Sequence, residues 1–279
     1  MTAVDTDLRP EAPQADLEPG SRAGVPQRPA TPGTGPPAVR IDHLTKRFGR
    51  GPVVLDDVSL RAREGEFVCL IGASGCGKST LLALLAGLEQ PTGGSVSVVG
   101  GRAALMFQEP ALLPWLTAAG NVELALRLRG VGRRARQAEA LDLLRLVRLD
   151  GAARQRPHEL SGGMRQRVAL ARALAQQSPV LLMDEPFGAL DAITRDVLHE
   201  ELVQVWRETG RTIVFVTHNV REAVRLGQRV VLLSSRPGRV IREWPVHISG
   251  PRRIEAPEVA ALAVEITDRL REEIRRHAG

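Results

Sequence analysis

Residues 68–88 read VCLIGASGCGKSTLLALLAGL, and the rest of the chain is arranged around them. The apolar run Phe67–Ile71 predicts a short buried strand, the glycine-rich segment after it a tight loop, and the leucine-rich run Thr80–Leu88 a helix. Gly72, Gly77, Lys78 and Ser79 fit the pattern GxxxxGK[ST], placed between strand and helix as that pattern requires. The glycines let successive N–H groups turn inward around an anion, the helix N-terminus adds unpaired donors, and Lys78 adds a mobile charge. Ser79 offers a hydroxyl to Mg2+. Only two residues of the chain, Lys46 and Lys78, are lysines, the remaining basic side chains being arginine. One of the two stands where a compact ammonium must fit beside phosphate oxygens and a planar guanidinium does not substitute.

With 279 residues, 43% hydrophobic and 25% charged, the chain is long enough for one large α/β domain with a subdomain. Its longest apolar runs are about half the ~20 residues of a membrane span, and no basic-then-apolar signal opens it, so it is expected neither to cross a membrane nor to be exported. Cys69 and Cys76 form neither a metal spacing nor a disulfide framework, which fits a reducing compartment. A net charge of +6 points to an anionic partner, either nucleic acid or a membrane surface.

Residues 1–37 hold eight of the nineteen prolines and no apolar period, and read as a disordered Pro/Ala/Gly-rich extension. Short strands follow at 39–41, 44–48 and 53–60. Phe48 is open to two readings, stacking on a purine or packing in the core. After strands at 95–99 and 103–107, Gln108 stands at a strand end, where its amide reaches a metal or a water, or is a solvated turn residue. Trp115, in a proline-flanked loop, is either an exposed contact or simple packing. Residues 121–149 read as helical and as part of an inserted subdomain, their arginines touching phosphate or lipid or merely facing solvent.

The segment LSGGMRQR, 160–167, starts a helix that Ser161 caps. Gly162 and Gly163 each cost that helix about 1 kcal/mol relative to alanine, so something must approach the backbone closely, and a second anion contact is expected. The strand Val180–Met183 ends in Asp184 and Glu185. Adjacent strand residues face opposite ways, so the two are expected to take different jobs, Asp184 in a metal shell and Glu185 as the base that orients a water. The strand Thr212–Thr217 delivers His218 to the same edge, a candidate γ-phosphate contact. Further strands at 230–233 and 240–245 precede an amphipathic helix over 257–276, with Val259, Leu262, Ile266, Leu270 and Ile274 on one face.

Taken together, GASGCGKST (Gly72, Ala73, Ser74, Gly75, Cys76, Gly77, Lys78, Ser79, Thr80), Gln108, LSGGMRQR, VLLMDEP, GALD (188–191) and His218 resemble the ATP-binding subunits of ABC transporters, over about residues 39–253. The resemblance implies an α/β fold: a P-loop NTPase core with an antiparallel β subdomain and an inserted helical subdomain at about 115–175. It sets the ATPase domain at 38–254 and a C-terminal helix at 255–279. It further implies a homodimer in which ATP lies between one chain's glycine loop and the partner's Ser161, Gly162, Gly163 and Met164, with Asp191 in the D-loop. By the same resemblance Ser79, Gln108 and Asp184 hold Mg2+, Glu185 and His218 with Lys78 carry the hydrolysis, and Phe48 stacks on adenine. Met164 stands where glutamine is common, and Phe48 where tyrosine is.

The strings MFQEPALLPWLTAAGNV, DEPFGALDAITRD and VTHNVREAVRLGQRVVLLSSRPGRV look like those of bacterial importers for nitrate, aliphatic sulfonates and taurine, with aliphatic sulfonate the first expectation. This implies a peripheral subunit on the cytoplasmic face of the inner membrane. Its partners would be permeases docking near Gln108, Pro114 and Trp115, and, through the complex, a periplasmic or lipid-anchored substrate-binding protein. A nucleic-acid-directed ATPase of the same superfamily is the rival class. It places a long coiled coil between the two motifs, and Lys78 and Ser161 are too close for one, so no nucleic-acid partner is expected. The tail after Val246 is expected to hold no allosteric ligand site.

Overall fold

The computed structural model describes residues 36–249, 252–253 and 255–277, so the extension expected over 1–37 lies outside the described residues but for Pro36 and Pro37. The first half of the chain forms β1 (Pro37–Arg47), β2 (Val53–Arg63), β3 (Phe67–Ile71), α1 (Lys78–Leu85), β4 (Gly93–Val98), β5 (Ala104–Met106), α2 (Ala118–Leu128) and α3 (Arg133–Leu146). The second half forms α4 (Gly162–Leu174), β6 (Val180–Asp184), α5 (Ala192–Thr209), β7 (Thr212–Val216), α6 (Val220–Leu226), β8 (Arg229–Leu233), β9 (Val240–Pro245) and α7 (Pro257–His277).

All five residues of β3 are buried, because the strand lies inside a six-stranded sheet of order β5-β6-β7-β3-β8-β9. Every pairing in that sheet is parallel except that of β9 with β8. Side chains alternate along a strand, so β3 feeds two cores. Phe67, Cys69 and Ile71 pack with the helices α2 to α7 on one face, and Val68 and Leu70 with α1 and the strands β1 and β2 on the other. Those strands belong to a three-stranded antiparallel sheet of order β2-β1-β4. The two pieces expected at 39–41 and 44–48 are one strand, bent where His43 takes a positive φ of 48° between Ile41 and Leu44.

The helical stretch expected over 121–149 is two helices, divided at Gly130–Gly132, where Gly130 takes a φ of 83° that ends α2. α2, α3 and α4 pack on one another. Buried Asn121 ties α2 to the loop before it, accepting from Leu113 N at 2.8 Å and donating to Thr117 O at 3.0 Å. α7 lies against α6 through Val259, Ala263 and Ile266, but Ile274, expected on that face, is exposed, and Glu273 is buried in its stead. Among the described residues no helix is long and apolar enough to cross a membrane.

Candidate active site

Three neighbouring parallel strands, β6, β7 and β3, end on one edge of the sheet, and each delivers a candidate group there. A cleft of about 450 Å³, the size of a small-ligand site, opens at that edge. Its wall takes Ser74, Gly75, Gly77, Lys78, Ser79 and Thr80 from the glycine loop and the first turn of α1. Phe48 and Val54 come from the β1–β2 hairpin, Glu185 and His218 from the ends of β6 and β7, and Arg236 from the turn after β8.

The helices α2, α4, α5 and α6 are capped by the side chains of Thr117, Ser161, Asp191 and Asn219. α1 is not: its N-cap is Gly77, at φ 101°, with no side-chain bond. α3 likewise starts at a glycine, Gly132, without a side-chain cap, but only the first turn of α1 opens on the cleft, where its unpaired N–H groups are available to an anion. A Cβ on Gly77 would lie 2.6 Å from Leu55 Cδ2, so no larger residue fits beneath the loop. Lys78 is 7% exposed and donates to the carbonyls of Gly72 and Ala73 at 2.9 Å. Its Nζ stands 3.8 Å from Cys76 Sγ; burial pushes that thiol's pKa up, and Lys78 pulls it the other way.

Asp184 closes β6, and its carboxyl is held above the usual range. Burial is the main cause; a hydrogen bond with Ser79 opposes it, the charge of Glu185 adds to it and that of Lys78 opposes it. Glu185 is not a strand residue: it sits at φ 44°, just past the end of β6. The strand alternation invoked to separate the two carboxylates therefore does not apply. A backbone turn separates them. It sends Glu185 Oε2 to within 2.8 Å of His218 Nδ1, while Asp184 stays beside Ser79.

His218 is two-thirds exposed, yet its backbone is pinned on both sides. Thr217 Oγ1 accepts from Asn219 N at 2.9 Å and donates to Glu222 Oε2, whose other oxygen meets His199 Nε2 of α5 at 2.5 Å. His199 and Glu222 are buried. The sequence reading singled out neither, although a charge among the apolar residues Val220, Ala223 and Val224 was the available signal.

Phe48 is 47% exposed and lines the cleft, which removes the core reading. Lys46 Nζ lies 4.6 Å over its ring and is fixed by Glu89 Oε2 and Gln90 O, both at 2.7 Å. Gln108 is exposed and does not line the cleft; its carbonyl accepts from Gln166 of α4 at 2.9 Å. Its Nε2 and Glu185 Oε2 both lie within 4 Å of the point a Cβ would take on Gly188, at 3.7 and 3.8 Å. Trp115 is 68% exposed.

Ser161, Gly162, Gly163 and Met164 lie outside the cleft. The close approach their glycines call for comes from the same chain. A Cβ on Gly163 would stand 2.7 Å from Thr194 Cγ2, and one on Gly162 would stand 3.1 Å from Leu190 Cδ2. Asp191 begins α5, accepting from Thr194 N at 2.9 Å, and that backbone hydrogen bond holds its carboxyl below the usual range.

A glycine loop with its lysine, two carboxylates and a histidine on one edge of such a sheet is the layout of an ATPase cassette. Residues 55–188 match the family described as ABC transporter. The chain is 53% identical over 194 residues to the taurine import ATP-binding protein of Burkholderia pseudomallei, covering 67% of this chain and 75% of that protein. It is 45% identical to an aliphatic sulfonates import ATP-binding protein of Agrobacterium fabrum, covering 96% and 95%. It is 47% identical to the nitrate import ATP-binding protein of Synechocystis, covering 72% and 79%. Among solved structures, the dimeric ATP-binding cassette MJ0796 bound to ADP and phosphate matches with a TM-score of 0.66 and 35% identity, over 76% of this chain and all of that one. The chain belongs to the ATP-binding proteins of the ABC transporter family.

Proposed function

We propose that this chain is the ATP-hydrolysing subunit of a bacterial importer for a small anion, with aliphatic sulfonates as the cargo. The observation that carries the ATPase reading is the pairing of Glu185 with His218 at 2.8 Å on the wall of the cleft that Lys78 and Ser79 also line. In this reading the loop N–H groups and Lys78 hold the β- and γ-phosphates, Glu185 Oε2 accepts the proton of an attacking water, and His218, turned by Glu185, meets the γ-phosphate. Phe48, propped by Lys46, stacks on adenine.

Mg2+ fits the donors present. Asp184 and Ser79 place a carboxylate and a hydroxyl side by side, and among the described residues no cluster of three or more His, Cys, Asp or Glu exists to cage a metal alone. This suits an ion held by one or two protein oxygens together with phosphates and water. Gln108 is the third candidate donor. When bound, the ion neutralises charge on the β- and γ-oxygens. Ser161, Gly162, Gly163 and Met164, lying outside their own chain's cleft, are assigned to the ATP of a partner copy in a homodimer, with Asp191 at the junction. Exposed Trp115 and Phe107, beside the Gln108 loop, are assigned to the permease, and with it the subunit to the cytoplasmic face of the inner membrane.

The relatives' names favour a sulfonate cargo, since taurine is itself a sulfonate and the aliphatic-sulfonate relative is matched along nearly its whole length. The test is growth of cells lacking this chain on an alkanesulfonate, taurine or nitrate as sole sulfur or nitrogen source. Restoring the wild-type gene should rescue growth on the sulfonate. Glu185→Gln should not, while still binding ATP and turning over about 10²- to 10⁴-fold more slowly in phosphate-release assays, as for a lost general base. Rescue needed on nitrate alone moves the cargo to nitrate. Undiminished turnover in the variant removes Glu185 from the chemistry.

A further inference from the structure

The turn between β8 and β9, Ser234–Arg239, brings Arg236 to the cleft wall and packs against the glycine loop. β8 runs parallel to β3 and ends on the same edge. The turn closes on itself through Ser234 N to Arg239 O at 2.8 Å, Arg239 N to Ser234 Oγ at 2.8 Å, and Ser234 Oγ to Pro237 O at 2.6 Å. It is bonded to β2, with Gly238 N donating to Val54 O at 2.8 Å and Asp56 N to Gly238 O at 3.0 Å. It is also bonded to α7, where Glu273 Oε1 accepts from Ser235 N at 3.3 Å. A Cβ on Gly238 would fall 2.2 Å from the carbonyl oxygen of Cys76, so the turn lies directly against the loop backbone.

This anchored turn carries two arginines with different surroundings. Arg239 is paired with Asp56. Arg236 makes no hydrogen bond or ion pair among the described residues, and its side chain forms part of the cleft wall with Gly75 and Lys78. Among the described residues, Lys78 and Arg236 are the only lysine and arginine on that wall, and Glu185 is its only carboxylate. Arg236 is exposed, and its guanidinium, carried on an anchored turn beside a phosphate-binding loop and with no anion of its own, is free to donate to phosphate oxygens.

We propose that Arg236 is a phosphate contact for the bound nucleotide, a second cation beside Lys78 supplied by the β8–β9 turn. The inference rests on the ATP-binding reading of the cleft. The test is titration calorimetry on the full chain and its Arg236→Ala and Arg236→Lys variants, with MgATP and separately with tripolyphosphate. Steady-state hydrolysis and a thermal melt accompany it. Arg236→Ala should weaken MgATP and tripolyphosphate alike by about tenfold, the scale of one charge-assisted contact at a partly screened site. It should raise KM with little change in kcat, because the contact is the same in ground and transition states. Arg236→Lys should recover part of the affinity, and with no partner to lose, neither variant should melt earlier. Unchanged affinity in Arg236→Ala overturns the proposal. A loss for MgATP with none for tripolyphosphate overturns it too, by moving the contact to the ribose or base. A wild-type chain that binds neither ligand overturns the reading of the cleft itself, and this inference with it.

Discussion

Asp184, assigned above to Mg2+, carries a cost to the folded protein. Its carboxyl is held above its ordinary range chiefly by burial, so the folded chain keeps that proton at a pH where the unfolded chain has lost it. Such a group lowers stability as pH rises out of the carboxylate range, and the full penalty is present at neutral pH. Asp184→Asn should therefore raise the melting temperature of the nucleotide-free protein at pH 7, with the gap closing as pH falls towards about 4. The same variant should lose most of its hydrolysis, because the carboxylate assigned to Mg2+ is gone. Calorimetry across that pH range checks the first outcome, and a lower melting temperature at pH 7 would contradict it. At this scale the sequence was informative wherever chemistry is local. Lys78, Ser79, Glu185 and His218 line one cleft, the first two where the glycine-loop pattern put them and the last two where the strand ends did. Lys46 over Phe48, the His199–Glu222–Thr217 chain and Arg236 escaped notice because the first is fixed by Glu89, 43 positions away, the second joins residues 23 positions apart, and the third depends on a cavity that only the fold creates.

Among the elements, α4 is held by its two ends. Its glycine-rich start lies against Leu190 and Thr194, and further along Gln166 and Arg172 bond to the carbonyls of Gln108, Pro110 and Ala111. The two glycines were legible as a demand for close approach, but which atoms approach was not, since Thr194 is 31 positions away and on another helix. Gly163→Ala gains helix propensity of about 1 kcal/mol yet places a methyl 2.7 Å from Thr194 Cγ2, and overpacking of that kind costs about 1–3 kcal/mol. The net expectation is a destabilised protein. Adding Thr194→Ser, which removes Cγ2, should return at least half of the loss in chemical denaturation. Additive effects of the two substitutions would show that the contact is not responsible. The division of 121–149 at Gly130–Gly132 is the opposite case. Two glycines within three residues are visible breakers, but a dense run of leucine, alanine and arginine on either side outweighed them.

Across the whole molecule, the distribution of basic side chains has a consequence outside structure and catalysis. Both lysines are 7% exposed, Lys78 closed over by the glycine loop and Lys46 fixed by Glu89 and Gln90. A surface with a net charge of +6 is thus guanidinium almost throughout, and among the described residues no lysine amine is free for acylation. Succinimidyl esters, acetyl donors and amine cross-linkers should leave the native chain all but unmodified beyond its amino terminus. Intact-mass analysis should show the two lysine adducts only after denaturation. To reagents that find most proteins by their ammonium groups, this cation-rich protein is nearly blank.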